Sequence, residues 1–270
     1  MGTQFSPIRQ RFIALAAAVA ALLAVPLGAA PALADPPDPV ARYVAVGDSY
    51  AAGQGAGSYL DGCLRSPLGY PSLIDAEPRH NLLRQPACSG ATIADVMATQ
   101  VSQVNRGTTL ITVTAGANDL DLAALFAACA PDPTTLACQQ AVASSAAAIP
   151  AVGPQMAQLI AELQARAPDA TIVVTGYPVP FASAYAAALP AAAAVNQGAL
   201  ALNAQLAGAV QATAMPGAHV VFAPVSFGDH VIGGSAVPWL GADVTDPVGL
   251  LHPTAQGYVA YRDAVLAAVP

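Results

Sequence analysis

Four residues, spread along the chain, are of the kinds that acyl transfer to water requires. Ser49 follows the apolar run Tyr43–Val46 in Gly47-Asp48-Ser49-Tyr50, and Gly90 follows Leu82–Gln85 in Cys88-Ser89-Gly90-Ala91-Thr92. Asn118 follows Leu110–Thr114 in Ala115-Gly116-Ala117-Asn118-Asp119, and His252 stands near the C-terminus in Leu251-His252-Pro253-Thr254. A serine hydroxyl becomes a nucleophile when a base takes its proton, and an imidazole is the usual base near neutral pH. The oxyanion that forms next needs hydrogen donors aimed at it; removing one costs about a hundred- to a thousand-fold in rate. Ser49 is thus the expected nucleophile and His252 the expected base. The Ser49 N–H, the Gly90 N–H and the Asn118 side-chain amide are the expected oxyanion donors.

These residues can meet only if the elements before them lie side by side. Five short β-branched or apolar runs recur: Tyr43–Val46, Leu82–Gln85, Leu110–Thr114, Thr171–Thr175 and His219–Phe222. Between them lie segments with helical spacing. Ile149, Val152, Met156, Leu159, Ile160 and Leu163 fall at three- and four-residue steps, as one buried helical face does. Tyr258, Tyr261, Val265 and Val269 do the same behind Thr254, an expected N-cap. The alanine-rich stretch 182–214 reads as one or two helices broken at Pro190, because alanine costs least to order in a helix. Strands alternating with helices imply an α/β fold with a five-stranded, mainly parallel sheet covered on both faces. In such sheets functional groups collect on the loops at the carboxyl ends of the strands, where all four candidates stand.

Residues 1–34 read as a secretory signal peptide. Arg9 and Arg11 precede the apolar run Phe12–Ala30, and Ala32-Leu33-Ala34 is a small-x-small cleavage site. An uncleaved anchor is the alternative, against which Pro26 and the cleavage site weigh. The domain expected to remain is 35–270, with no stable membrane insertion after cleavage. Its seven arginines face 16 acidic residues, a balance of 7 − 16 = −9. Such a surface repels phosphate backbones, so no nucleic-acid partner is expected. Lysine is absent, which excludes a P-loop and any Schiff-base chemistry. The four cysteines allow three pairings; the short loop between Cys129 and Cys138 favours that pair, leaving Cys63 with Cys88. Their spacings match no zinc or redox motif, and no metal or organic cofactor is expected. Nothing in the sequence sets an oligomeric state.

Other serine-hydrolase frames fail on detail. An α/β-hydrolase elbow needs G-x-S-x-G, and Ala51 occupies the last glycine position. A chymotrypsin-like chain would carry its serine late and its histidine early, the reverse of the order here. The four blocks in order, Gly47-Asp48-Ser49, Ser89-Gly90, Gly116-Ala117-Asn118-Asp119 and His252-Pro253-Thr254, resemble the SGNH hydrolases, also called GDSL esterases and lipases. Gly47-Asp48-Ser49-Tyr50-Ala51-Ala52-Gly53, Cys63-Leu64-Arg65-Ser66 and Cys88-Ser89-Gly90-Ala91-Thr92 bring the secreted actinobacterial branch closest. The resemblance spans about residues 42–268. It implies a flavodoxin-like three-layer α/β/α fold, Ser49 as nucleophile, His252 as base, and Ser49, Gly90 and Asn118 as the oxyanion hole. It also implies the disulfides Cys63–Cys88 and Cys129–Cys138.

Three departures stand out. Tyr50 replaces the leucine of the name motif, a change read as lying outside the chemistry. Gly249 stands where the family's usual aspartate precedes the histidine by three residues. A Ser49–His252 dyad oriented by the backbone carbonyl of Gly249 or Leu250 is therefore favoured, with Asp246 as the other possible orienter. No cysteine accompanies Phe227-Gly228-Asp229-His230, where related enzymes often carry a further disulfide.

More ordinary readings exist for each residue. Ser49 alone could be a helix cap and Asn118 a turn residue, while Asp48 is expected to hold the nucleophile turn. His80 and His219 are expected to be structural, and His230 to serve pocket or scaffold. Gly53-Gln54-Gly55-Ala56-Gly57 misses the G-x-G-x-x-G spacing and reads as an active-site loop. Trp239 is read equally as acyl-pocket lining or core. The expected function is a secreted esterase or lipase acting on small-molecule or lipid esters through an acyl-enzyme. The rivals are a cell-wall glycan deacetylase or acyltransferase and a non-catalytic binding protein on the same fold.

Overall fold

The computed structural model describes Gly2, residues 39–129, 132–214, Gly217 and residues 219–269; apart from Gly2, the leader read over residues 1–34 lies outside them. Five strands form one parallel sheet: β1 (Ala41–Gly47), β2 (His80–Arg84), β3 (Leu110–Thr114), β4 (Thr171–Thr175) and β5 (His219–Ala223). Their order across the sheet is β2-β1-β3-β4-β5. The β-branched runs that suggested strands suit a pleat packed on both sides, and β3 is buried along its whole length.

Alternate side chains of the strands enter two cores. On one face Val44, Val46, Ile111, Val113, Ile172 and Val174 meet α5 (Leu136–Arg166) and α7 (Pro190–Ala212), through Val152, Met156, Leu159, Ile160, Leu163, Leu202 and Leu206. On the other, Tyr43, Ala45, Leu110 and Val173 meet α2 (Tyr70–Asp75) and α8 (Ala255–Ala268), through Tyr70, Ile74, Tyr258, Tyr261 and Val265. That is the three-layer α/β/α arrangement the alternation implied. The remaining helices are short: α1 (Ser49–Ala52), α3 (Ile93–Asp95), α4 (Leu122–Cys129) and α6 (Ser183–Ala188). Pro190 opens α7 at a position where its missing N–H costs nothing. The 182–214 stretch is two helices.

Threonines replace aliphatics inside the second core, and each has a partner. The Tyr43 hydroxyl meets Thr112 at 2.7 Å, and Tyr70 meets Thr114 at 2.9 Å, which meets Thr175 at 2.6 Å. Among the described residues no buried side-chain nitrogen or oxygen lacks a partner, as a stable interior requires.

Two disulfides join Cys63 to Cys88 and Cys129 to Cys138. The first closes a loop with a sequence separation of 25, which in the chain-entropy picture stabilises by roughly 3 kcal/mol. The Cys63→Ala/Cys88→Ala variant is expected to melt about 6–12 °C lower, since each kcal/mol moves the midpoint by about 2–4 °C at this size. An unchanged melting curve would show that this bridge does not constrain the unfolded chain.

Candidate active site

The strand order places a switch point between β1 and β3: the connection from β1 runs to β2 on one side, and the chain then crosses to β3 on the other. Ligands of parallel sheets bind in the crevice outside the carboxyl ends of strands at such a point. Ser49 comes off the end of β1, and Asn118 off the end of β3 in a 3-10 turn, Asn118–Leu120. The sharp exit of β1 depends on Gly47. Its φ is +136°, and a Cβ there would overlap the Thr114 carbonyl.

Asp48 caps α1. One carboxylate oxygen accepts from the Tyr50 N–H at 2.9 Å, and the other accepts from the Tyr177 hydroxyl. Burial pushes this carboxyl up to about 7, against the pull of those hydrogen bonds. Asp48 therefore holds the turn that presents Ser49, as its place in the sequence suggested. Ser49 is the first residue of α1, where the backbone N–H has no intrahelical acceptor. The residue is 7% exposed.

His252 approaches from the other end of the chain. Its Nε2 lies 2.9 Å from Ser49 Oγ. Its Nδ1 lies 3.0 Å from the Leu250 carbonyl, an oxygen that can only accept. This contact selects the tautomer with its proton on Nδ1, in which Nε2 presents its lone pair to the serine hydroxyl. Burial is the main cause that pushes this imidazole down to about 4, opposed by the Leu250 carbonyl and the nearby charge of Asp246.

Asp246, the other orienter weighed from sequence, directs its carboxylate elsewhere: Oδ1 accepts from the Val248 N–H at 3.1 Å. A Cβ at Gly249 would meet the Asp246 carboxylate, the end of an exposed side chain that would have to swing aside. The Gly249 carbonyl accepts from the His252 N–H at 2.9 Å. Of the three candidates, the Leu250 carbonyl is the one in hydrogen-bond contact with the ring.

Ser49, Asn118 and His252 share the wall of one cavity of about 600 Å³. Asn118 Nδ2 donates to the Ala91 carbonyl at 3.0 Å, which ties the turn after β3 to the one after β2. Gly90 is exposed on that second turn, with φ +81° and open space around its Cα. It lies outside the cavity wall but next to Ser89, whose hydroxyl donates to Gln54 Oε1.

Away from Ser49 the cavity is apolar. Leu122, Leu125 and Phe126 of α4, Ile149 of α5, and Val195 and Leu202 of α7 supply much of its lining. The sequence reading missed this wall, since α4 and the alanine-rich start of α5 carry little helical periodicity. Trp239 does not line it; its indole stacks on His230 at 3.8 Å and meets Phe227 edge-on. His230 is scaffold there, with Nδ1 at 2.8 Å from the Val237 carbonyl. His80 and His219 begin β2 and β5, at the opposite ends of the strands from Ser49.

Two more residues reach the histidine loop: Tyr50, and Gln54 of the segment Gly53–Gly57 that the sequence marks as an active-site loop. Gln54 Nε2 donates to the Val248 carbonyl at 2.8 Å and lies 3.3 Å from His252 Nδ1. The Tyr50 hydroxyl donates to the Leu251 carbonyl at 2.5 Å. Tyr50, set aside as remote from the chemistry, in fact touches the loop that carries the imidazole; its ring lies 5.4 Å from that of His252.

Residues 45–260 match the model of the GDSL-like Lipase/Acylhydrolase family. A lipase of Streptomyces rimosus is 36% identical over 257 residues, covering 90% of this chain and 93% of that one. The crystal structure of an extracellular lipase from Streptomyces rimosus superposes with a TM-score of 0.76 at 34% identity, over 85% of this chain and all of that one. Phospholipase A1 from Streptomyces albidoflavus NA297 superposes equally well, TM-score 0.76, at 28% identity and the same coverage.

Proposed function

This chain belongs to the GDSL-like lipase/acylhydrolase family, and on that footing we propose that it is a secreted carboxylic ester hydrolase working through an acyl-Ser49 intermediate. One observation carries the reading: Ser49 Oγ stands 2.9 Å from His252 Nε2 at the wall of an apolar cavity.

Ser49 Oγ attacks the ester carbonyl carbon as its proton passes to His252 Nε2. The carbonyl oxygen becomes an oxyanion held by the Ser49 and Gly90 N–H groups and the Asn118 amide. Collapse breaks the bond to the alcohol oxygen, which leaves with the proton from Nε2. Water then attacks the acyl-enzyme, gives its proton to Nε2, and the acid departs as Ser49 recovers its hydrogen. The Leu250 carbonyl holds the Nδ1 proton throughout and steadies the imidazolium. The acyl chain occupies the cavity between α4, α5 and α7, whose aliphatic lining suits a lipid ester better than an acetylated glycan. The Arg9, Arg11 and Ala32-Leu33-Ala34 pattern supports export, and among the described residues no helix is long and apolar enough to cross a membrane.

A fluorophosphonate probe tests the nucleophile. Labelling of the wild type that vanishes in Ser49→Ala supports the assignment; labelling that persists there and disappears with another serine refutes it.

The pH profile tests the base. His252 acts only when neutral, and burial pushes it down to about 4. Protonation as pH falls through that value removes the base, so kcat/KM for a soluble acetate ester is expected to rise through about pH 4 and stay level to pH 7. An acid limb near the ordinary histidine value, about 6.5, that persists in Asp48→Asn, which removes the carboxyl pushed up to about 7, would mean that the imidazole is not desolvated in the working enzyme.

A further inference from the structure

The mechanism needs the Leu250 carbonyl at Nδ1, yet the next residue holds an unfavourable conformation. Leu251 has φ +57°, the left-handed region, where a Cβ crowds the following carbonyl. Its torsions fix the angle between the two peptide planes that flank it. The first plane carries the Leu250 carbonyl on one edge and the Leu251 N–H on the other. That N–H donates to the Gly241 carbonyl at 2.9 Å, and the opposite edge accordingly faces Nδ1 at 3.0 Å. The second plane carries the Leu251 carbonyl, which accepts from the Tyr50 hydroxyl. A strained residue is thus clamped on both sides.

A competing donor gives the clamp a consequence. Gln54 Nε2, 3.3 Å from Nδ1, offers only hydrogens and can bond Nδ1 only when that atom is bare. The proton would then sit on Nε2, facing Ser49, and the imidazole could take nothing from the hydroxyl. The Leu250 carbonyl offers only lone pairs and selects the opposite tautomer. The orientation of one peptide plane therefore decides which tautomer His252 adopts.

We propose that Tyr50 is a positioning residue whose hydroxyl, by holding Leu251 left-handed, keeps the Leu250 carbonyl on His252 and so sets the productive tautomer. This rests on the reading of His252 as the base. Tyr50 suits the task, because its ring is fixed edge-on against Tyr177 at 5.1 Å and Tyr261 at 5.8 Å. Burial pushes its hydroxyl ionisation well above the ordinary value, and it stays a donor. It also adjoins Ser49, so one short segment presents the nucleophile and braces the loop of its base.

Tyr50→Phe keeps the ring and deletes the donor. With a soluble short-chain ester, kcat is expected to fall about 10- to 100-fold, the scale of a small misplacement at a reacting group. KM and the far-UV circular dichroism stay as in the wild type. In protein labelled with ¹⁵N-histidine, two-bond ¹H–¹⁵N spectra report the tautomer directly, with the His252 signals identified by their absence in His252→Ala. The wild type is expected to carry its proton on Nδ1, and Tyr50→Phe to shift toward Nε2. A variant that keeps wild-type kcat, or that loses it with the Nδ1 tautomer intact, overturns the proposal. A wild type that hydrolyses no ester would instead remove the hydrolase reading, while the spectra still decide the role of Tyr50.

Discussion

Ser49→Ala and His252→Ala are each expected to cut kcat for ester hydrolysis by roughly 10⁴- to 10⁶-fold, and the double variant to lose no more than the worse of the two. The non-additivity follows from the geometry. In the proposed mechanism Oγ attacks only while Nε2, 2.9 Å away, takes its proton, so removing either member removes the function of both. What remains is the contribution of the oxyanion donors and of binding. Asp246→Asn supplies the contrast: its carboxylate bonds Val248 and not the imidazole, and kcat is expected to fall by less than about tenfold, the range of a rim charge acting through solvent. Steady-state kinetics on one chromogenic ester decide among these. Losses that multiply in the double variant would mean that Ser49 and His252 act independently, and a collapse in Asp246→Asn would make the acid the orienter.

Much of this site was legible because its parts are marked by residue type. The β-branched runs located every strand, and the loops after β1 and β3 then named Ser49 and Asn118. Where the reading slipped, a physical cause is visible. β2 begins at His80, not Leu82, because an edge strand needs only backbone pairing, here of His80 with Ala41 and Asn81 with Arg42. Helix α5 runs back to Leu136 through Ala141-Val142-Ala143-Ser144-Ser145 and contains Pro150 and Pro154. A stretch without an apolar period and with helix-breaking residues does not announce a helix, though packing along Val152–Leu163 imposes one. The contacts of Tyr50 and Gln54 were opaque for another reason. Both act on backbone carbonyls some 200 residues away in sequence, and a carbonyl belongs to every residue alike. The missing acid before His252 was visible; the hydroxyl that braces the loop in its place was not.

Gly198→Leu is expected to change which esters are hydrolysed without disturbing the chemistry. Gly198 lies within α7 on the cavity wall, and a Cβ added there meets nothing within 4 Å. A leucine at this point of the wall therefore has its first atom unobstructed. Exchanging a mid-helix glycine for a strong helix former contributes about 0.5–1 kcal/mol of stability, so lost activity will not reflect unfolding. If the side chain excludes four methylenes of a long acyl group, at about 0.8 kcal/mol each, roughly 3 kcal/mol of binding is lost. That corresponds to about a 200-fold fall in kcat/KM for long-chain esters. Acetate esters do not reach this depth, and their kcat/KM is expected to stay as in the wild type. A chain-length series on both proteins makes the comparison internal, because the ratio of long- to short-chain kcat/KM is independent of enzyme concentration. A ratio that does not move would place the acyl group outside the space between α4, α5 and α7, leaving the Ser49–His252 chemistry untouched and the route of the chain to be sought along another wall.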